Sequence, residues 1–183
     1  TGTTGAQTAA VAKSYPGFTA QTVTQATIKA DGSTVVKIYY DRNTYTVTYT
    51  DGVESEEAFA DQVKPVRYGA ATPAFEGDPT RTGYEFKGWE PAVAKTVTGD
   101  ATYKATWELK TLPYKVEYYL DGKLDENLTV NETADFGSEI TTVPDKCPTG
   151  YKLDRTENVP LTITESENVI KVYYIKNVFK VTY

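Results

Sequence analysis

Apolar and polar residues alternate with a period of two along several short stretches, and one such stretch occurs twice. Residues 35–49 read VVKIYYDRNTYTVTY and residues 169–183 read VIKVYYIKNVFKVTY, identical at eight of fifteen positions and offset by 134 residues (169 − 35). In the first copy Val36, Ile38 and Tyr40 fall on one face and Val35, Lys37 and Tyr39 on the other, the pattern of a half-buried strand. Further on, Tyr45, Val47 and Tyr49 alternate with threonines, as in a sheet covered on one side only. Asp41, Arg42 and Asn43 form a short polar joint between the two. Each copy therefore reads as the last strand of one module, a joint, and the first strand of the next.

The same pattern continues elsewhere. Tyr84, Phe86 and, across Gly88, Trp89 suggest a strand, with Gly88 permitting a bulge or a close backbone approach. Tyr103, Ala105 and Trp107 share a face of a closing strand, and Tyr114, Val116 and Tyr118 a face of another. Turn signals separate these runs: a Pro-Gly at Pro16 and Gly17, then Asp31-Gly32, Asp51-Gly52 and Asp121-Gly122, and the Pro148-Thr-Gly-Tyr151 run. Residues 54–66 are ambiguous. Ser55 could cap a short helix with Phe59 and Val63 on one side, Pro65 limits it, and an extended path fits equally well.

Composition supports the strand reading. Tyrosine, at 15, outnumbers 6 Phe and 2 Trp, and threonine and valine recur, residues that suit a pleated surface better than a helix. The formal charge of −6 opposes binding to phosphate backbones or anionic lipid, so no nucleic-acid partner and no membrane insertion are expected. No run of about 18 apolar residues occurs, as a membrane span would need. With one cysteine, Cys147, no disulfide can close within the chain, which points away from disulfide-stapled scaffolds and towards stability from packing. Methionine and a signal peptide are both missing, as expected of a fragment of a longer, mature protein.

Catalysis finds no foothold. There is no histidine, so the commonest general base is absent, and acidic pairs such as Glu56 and Glu57 lie in a solvated stretch. No catalytic, cofactor-binding or metal residue is assigned, and no cofactor is expected. Trp89 and Trp107 could form a sugar-stacking platform, although module core is the better expectation for such large rings. In the pairs Tyr39/Tyr40 and Tyr173/Tyr174 at most one ring can face the core, and the outward one stiffens the joint or meets a ligand. Asp51-Gly52 and the stretch from Asp121 to Asp125 lack the spaced oxygens of a calcium loop and read as turns. Asn127 and Asn131 open glycosylation-type sequons, matches short enough to arise by chance. Cys147 reads as a bystander, or as a handle for accidental dimers if exposed. Lys37, Lys104 and Lys171 stand on strands from which an isopeptide crosslink could start, but nothing marks a matching acid.

Residues 44–107 resemble the Listeria–Bacteroides repeat, also called the internalin-type B repeat. The resemblance rests on Tyr45-Thr-Val-Thr-Tyr49 with Asp51-Gly52, the run from Pro79 through Gly83-Tyr-Glu-Phe-Lys-Gly-Trp89, and the closing stretch from Asp100 to Trp107. It implies a small β-grasp-like domain of the kind arrayed on bacterial surface proteins. Asp51-Gly-Val53 stands where the family commonly has Asn-Gly-Gly, which puts the first turn in question. Residues 114–177 are similar to the mucin-binding-protein (MucBP-like) repeat through Tyr114-Lys-Val-Glu-Tyr-Tyr119, Asp121-Gly122, Pro148-Thr-Gly-Tyr151 and Val172-Tyr-Tyr174, and residues 1–43 to the back of the same type.

The expected fold is mainly β with little helix, in tandem small β-grasp-like modules arranged as an extended rod. The expected divisions are residues 1–43, the back of a MucBP-like module; 44–109, the internalin-type repeat; 110–177, a MucBP-like module; and 178–183, a first strand that either stays disordered or pairs with an exposed edge, including one on another chain. The expected role is non-catalytic, in a secreted, wall-attached protein of a Gram-positive cell, as a monomeric stalk or adhesive array. Two other roles are open: a module binding mucin, another host glycoprotein or carbohydrate through exposed Tyr or Trp, and an accessory domain of a secreted hydrolase.

Overall fold

The computed structural model describes residues 2–54 and 57–182. Among these residues every regular element is a strand. They divide into two compact units, residues 1–79 with 88–106 and residues 80–87 with 107–183.

The first unit opens with a ribbon of β1 (Phe18–Ala20) and β2 (Tyr40–Arg42). Its main sheet contains β3 (Thr44–Thr50), β4 (Gln62–Arg67), β5 (Tyr84–Glu90) and β6 (Ala101–Leu109), in the order β4-β3-β6-β5; the outer ends of β5 and β6 belong to the second unit. β3 and β6 are parallel, with Val47 opposite Ala101 and Tyr49 opposite Tyr103. The alternation in β3 puts Val47 and Tyr49 in the core with Val97 and Tyr103, and packs Trp89 and Phe75 against them.

The ambiguous segment resolves towards strand. Residues 57–61 are not helical, and Pro65 sits in β4 opposite Thr46. β4 is an edge strand, the one place in a sheet where proline's missing N–H costs little. The proposed cap Ser55 lies outside the described residues.

The second unit contains β7 (Thr111–Leu120), β8 (Lys123–Leu124), β9 (Val130–Asp135), β10 (Glu139–Ile140), β11 (Tyr151–Glu157), β12 (Leu161–Thr162) and β13 (Val169–Lys176). Its sheet runs β11-β13-β7-β8, with β9 continuing along β7, and β10 pairs with β12 apart from it. Asp121 and Gly122, at φ of 47° and 77°, make the tight turn between β7 and β8, the backbone that an Asp-Gly pair favours. β7 and β13 are parallel, Val116 opposite Ile170 and Tyr118 opposite Tyr174's neighbour-but-one Val172. Val116, Tyr118, Ile170, Val172 and Tyr174 form the core.

Both sheets thus set the first and last strands parallel at the centre, with the second strand beside the first and the sheet's penultimate strand beside the last. That is the strand arrangement of a β-grasp without its helix. Long irregular segments replace the helix, and tyrosine hydroxyls pin them. Tyr49 donates to the Pro73 carbonyl at 2.8 Å and Tyr118 to that of Pro144 at 2.6 Å. Tyr103 accepts from the Ala94 N–H, and Tyr174 accepts from Lys146 N–H while donating to Asp145. A buried phenol needs such a partner, so these sites select Tyr over Phe.

The expectation of a strand across 35–40 holds only at its end. Residues 33–39 are in no strand, although Val36, Ile38 and Tyr40 keep the half-buried face. Around them the back of a second-unit module is reproduced closely. Phe18 pairs with Arg42 and Ala20 with Tyr40, as Tyr151 pairs with Lys176 and Leu153 with Tyr174. The Lys13 N–H donates to Tyr40 Oη at 2.9 Å, as Lys146 does to Tyr174 at 3.0 Å. Among the described residues no strand takes the place of β7 beside residues 35–39.

Candidate functional site

The most differentiated surface is the outward face of the second unit's sheet. Because side chains alternate along a strand, burying Val116, Tyr118, Ile170 and Val172 turns Lys115, Glu117, Tyr119, Lys171 and Tyr173 outward. Register then sets them in rows. Arg155, Tyr173 and Tyr119 form one, and Glu157, Lys171 and Glu117 the next.

In the first row the Arg155 guanidinium lies 3.8 Å from the Tyr173 ring centroid, and Tyr173 stacks on Tyr119 at 4.8 Å and 21°. The phenols then reach into the second row, Tyr119 donating to Glu117 at 2.8 Å and Tyr173 to Glu157 at 3.1 Å. Lys115 and Arg155 complete ion pairs with those carboxylates at 2.9 and 3.0 Å. The hydrogen bond to Glu117 pushes the Tyr119 phenol up to about 12. Glu117 and Glu157 are held below the usual carboxylate range, mainly by their Lys115 and Arg155 partners, with a smaller contribution from the Lys171 charge between them. At the end of the ladder lies an open cleft of about 400 Å³ lined by Glu117, Asn158, Leu161, Glu167, Val169 and Lys171.

Sequence candidates fall on different sides of this surface. Trp89 belongs to the first unit's core, its ring 4.7 Å from Tyr49 and 5.2 Å from Phe75. Trp107 is half-buried against Phe86, ring centroids 5.6 Å apart. The two do not form a platform. Tyr174 is core and Tyr173 lies on the outward ladder, while in the first copy Tyr40 is half-buried and Tyr39 is 61% exposed.

The aspartates hold turns. Both Asp51 oxygens accept backbone N–H groups, from Val53 at 3.0 Å and Ala58 at 2.7 Å. Asp121 accepts from the Lys176 N–H and pairs with its ammonium, which keeps the carboxyl below its ordinary value. Asp125 caps the next turn through the Asn127 N–H. Cys147 is half-buried against the second core, and desolvation pushes its thiol up. Lys37 and Lys104 are exposed, and Lys171 opens on the cleft, so none has the dry surroundings that an amide crosslink to a lysine amine requires. Glu56 lies outside the described residues.

Sequence reasoning missed two structural devices. The first is Asn168, 5% exposed, just before β13. Its carboxamide accepts from the Thr164 N–H at 2.9 Å and donates to the Pro113 carbonyl at 3.2 Å, tying the start of the last strand to the start of the first. Asp100 does the same before β6, accepting from the Thr46 N–H at 2.7 Å.

The second is a clasp at the joints. Asn43 donates its N–H to Gly17 and accepts from the Tyr68 N–H; Lys110 donates to Gly83 and accepts from the Phe136 N–H. In both, the aromatic ring covers the glycine so closely that a Cβ there would lie 2.0 or 2.1 Å from it. Asn177 makes the first half of a third clasp, donating to Gly150 at 2.8 Å. Asn43, Lys110 and Asn177 stand at equal intervals of 67 residues (110 − 43 and 177 − 110). That period was legible in the sequence only at its double, the 134-residue offset.

No curated protein matches this sequence. A solved structure of the Streptococcal High Identity Repeats in Tandem (SHIRT) domains 3-4 from a cell surface protein is similar to it at 21% identity, covering 73% of this chain and 98% of that one with a TM-score of 0.31. Residues 45–110, which carry the whole of the first unit's main sheet apart from Thr44, match the Listeria-Bacteroides repeat domain.

Proposed function

We propose that the chain is a non-catalytic repeat segment of a secreted, wall-attached bacterial surface protein, in which it works as a stalk. The observation that carries this reading is the same sheet built twice, each around its own core and each with first and last strands parallel at the centre. Pulling such a module by its two ends loads the hydrogen bonds between those strands all at once, in shear, and not one by one. The match of residues 45–110 to a repeat family supports the same role. The modules are then residues 44–109 and 110–177, with 1–43 the back of a MucBP-like module and 178–183 a first strand.

Single-molecule stretching of the whole chain tests it. Two separate unfolding events are expected, each releasing about 22 nm, the extended length of roughly 65 residues. One event of about twice that length would show a single mechanical body and defeat the stalk of independent beads.

The outward row of Arg155, Tyr173 and Tyr119 beside the cleft favours a second reading, in which the 110–177 module binds a carbohydrate of a host glycoprotein. Aromatic rings and paired carboxylates are the groups that meet sugar C–H faces and hydroxyls. A glycan array or mucin pull-down separates the readings. Saturable binding that Tyr119→Ser abolishes favours the second; no binding at any glycan leaves the row as a stiffening ladder.

A further inference from the structure

Tyr119 on β7 and Tyr173 on β13 are direct partners in the parallel register, and their rings stack 4.8 Å apart at 21°. Both lie half-buried on the outward face, where an oxidant in solution meets them. Each phenol donates to a carboxylate, Tyr119 to Glu117 at 2.8 Å and Tyr173 to Glu157 at 3.1 Å. Such charge-assisted bonds are stronger than neutral ones, and they place a base at the phenolic proton. A phenol bonded in this way gives up an electron more readily, because its proton passes to the carboxylate in the same step.

Other tyrosine pairs lack one part or another of this arrangement. Tyr49 and Tyr103 are also direct partners, 5.3 Å apart, yet they are 1% and 3% exposed and bond to backbone groups. Tyr118 and Tyr174 stack at 6.2 Å from positions offset by two residues, and both are sealed in the second core. In the first unit the places of Tyr119 and Tyr173 are taken by Thr50 and Lys104, partners in the matching β3–β6 register.

We propose that Tyr119 and Tyr173 form a site of oxidative cross-linking, joined ring to ring as dityrosine by a peroxidase-type oxidant that uses hydrogen peroxide. Each phenol loses one electron to the oxidant and its proton to Glu117 or Glu157, which pass it on to water. The two radicals couple through ring carbons next to their hydroxyl-bearing carbons. The hydrogen on each coupled carbon then leaves as a proton and one returns to each oxygen, restoring both phenols. One hydrogen peroxide takes up the two electrons and two protons and becomes two water molecules. Because the rings are held side by side, the coupling is unimolecular and outruns joining between chains. The new bond bridges the first and last strands of the module and closes residues 119–173 into a loop that tension cannot extend. That consequence bears on the stalk reading, but the chemistry does not rest on it.

The test treats the whole chain, kept dilute, with a peroxidase and hydrogen peroxide. Intact mass should fall by two hydrogen atoms, and peptide mapping should join the peptides that carry Tyr119 and Tyr173. Tyr119→Phe and Tyr173→Phe, each of which keeps its ring, should each lose that product. Glu117→Gln, which keeps the side chain's shape and removes its charge, should slow its formation. Under single-molecule stretching, the second module's event should shorten by about 18 nm, the extended length of the 54 bypassed residues (173 − 119). The peptide map decides the matter whatever the number of unfolding events. A chain that gains no 119–173 link overturns the proposal, as do links that fall only at other tyrosines or only between chains. A rate that Glu117→Gln leaves unchanged overturns the proton transfer to the carboxylate.

Discussion

The two copies of the duplicated stretch have opposite fates. In the second, residues 169–176 are a central strand with a buried face, and residues 178–182 are bare. In the first, residues 44–50 are the central strand β3, and residues 35–39 are in no strand. Near-identical side chains are therefore a full strand in one place and an open edge in the other. The difference is in the neighbours: β7 lies in parallel register beside residues 169–174, and among the described residues no strand takes that place beside residues 35–39. A strand's side chains say which face it will bury, and only its partners decide whether it becomes a strand.

The same substitution at matched positions should have very different costs. Val172→Asp places a charge at a 1% exposed site and should destabilise the second unit by about 4 kcal/mol or more. Ile38→Asp, at the half-buried counterpart, should cost about 1 kcal/mol or less. Residue-resolved hydrogen exchange in a urea series measures both in their own units. Equal costs would mean that the first copy is covered after all.

Gly83 and Gly150 sharpen the comparison at the joints. Both have positive φ, so alanine at either strains the backbone by about 1–2 kcal/mol. Only at Gly83 does it also strike an aromatic ring, so Gly83→Ala should cost about 3 kcal/mol and Gly150→Ala close to the backbone penalty alone. Thermal unfolding of the two variants gives the difference.

Asn168→Ala removes two part-buried hydrogen bonds, to the Thr164 N–H and the Pro113 carbonyl, and should cost about 1–3 kcal/mol. Its counterpart Thr34 receives only the Lys29 N–H at an exposed turn, and Thr34→Ala should fall at or below the bottom of that range. Chemical denaturation followed by far-UV circular dichroism checks the pair.

The smallest effect is on pH. Burial and the hydrogen bond to Asp145 push the Tyr174 phenol up to about 12. The folded state therefore holds that proton more tightly than the unfolded chain, whose phenols titrate near 10. The resulting stability is fully present below pH 10 and is lost as pH rises through about 12. Tyr174→Phe should flatten that alkaline decline while lowering stability at neutral pH by about 1 kcal/mol, the worth of the lost hydrogen bond. Denaturation midpoints at pH 8, 10 and 11 for both proteins follow the two slopes.

Period-two alternation by itself determined that this chain makes one-sided sheets, and the duplication by itself showed that one stretch recurs at an offset of 134 residues. Both are local properties of side chains along an extended backbone, so they can be read from order alone. Turns at Asp51-Gly52 and Asp121-Gly122 were legible for the same reason, since an Asp-Gly pair carries its own backbone preference. Other features required the fold. The Pro65 segment could be placed only once β4 proved to be an edge. The outward Tyr119–Tyr173 row and the Asn168 tie join residues that are 54 and 55 positions apart, and they meet because β7 and β13 lie in parallel register. The tyrosine staples and glycine clasps likewise depend on which loop crosses which sheet. Contacts between distant residues are set by strand order, and strand order is a property of the whole packed module.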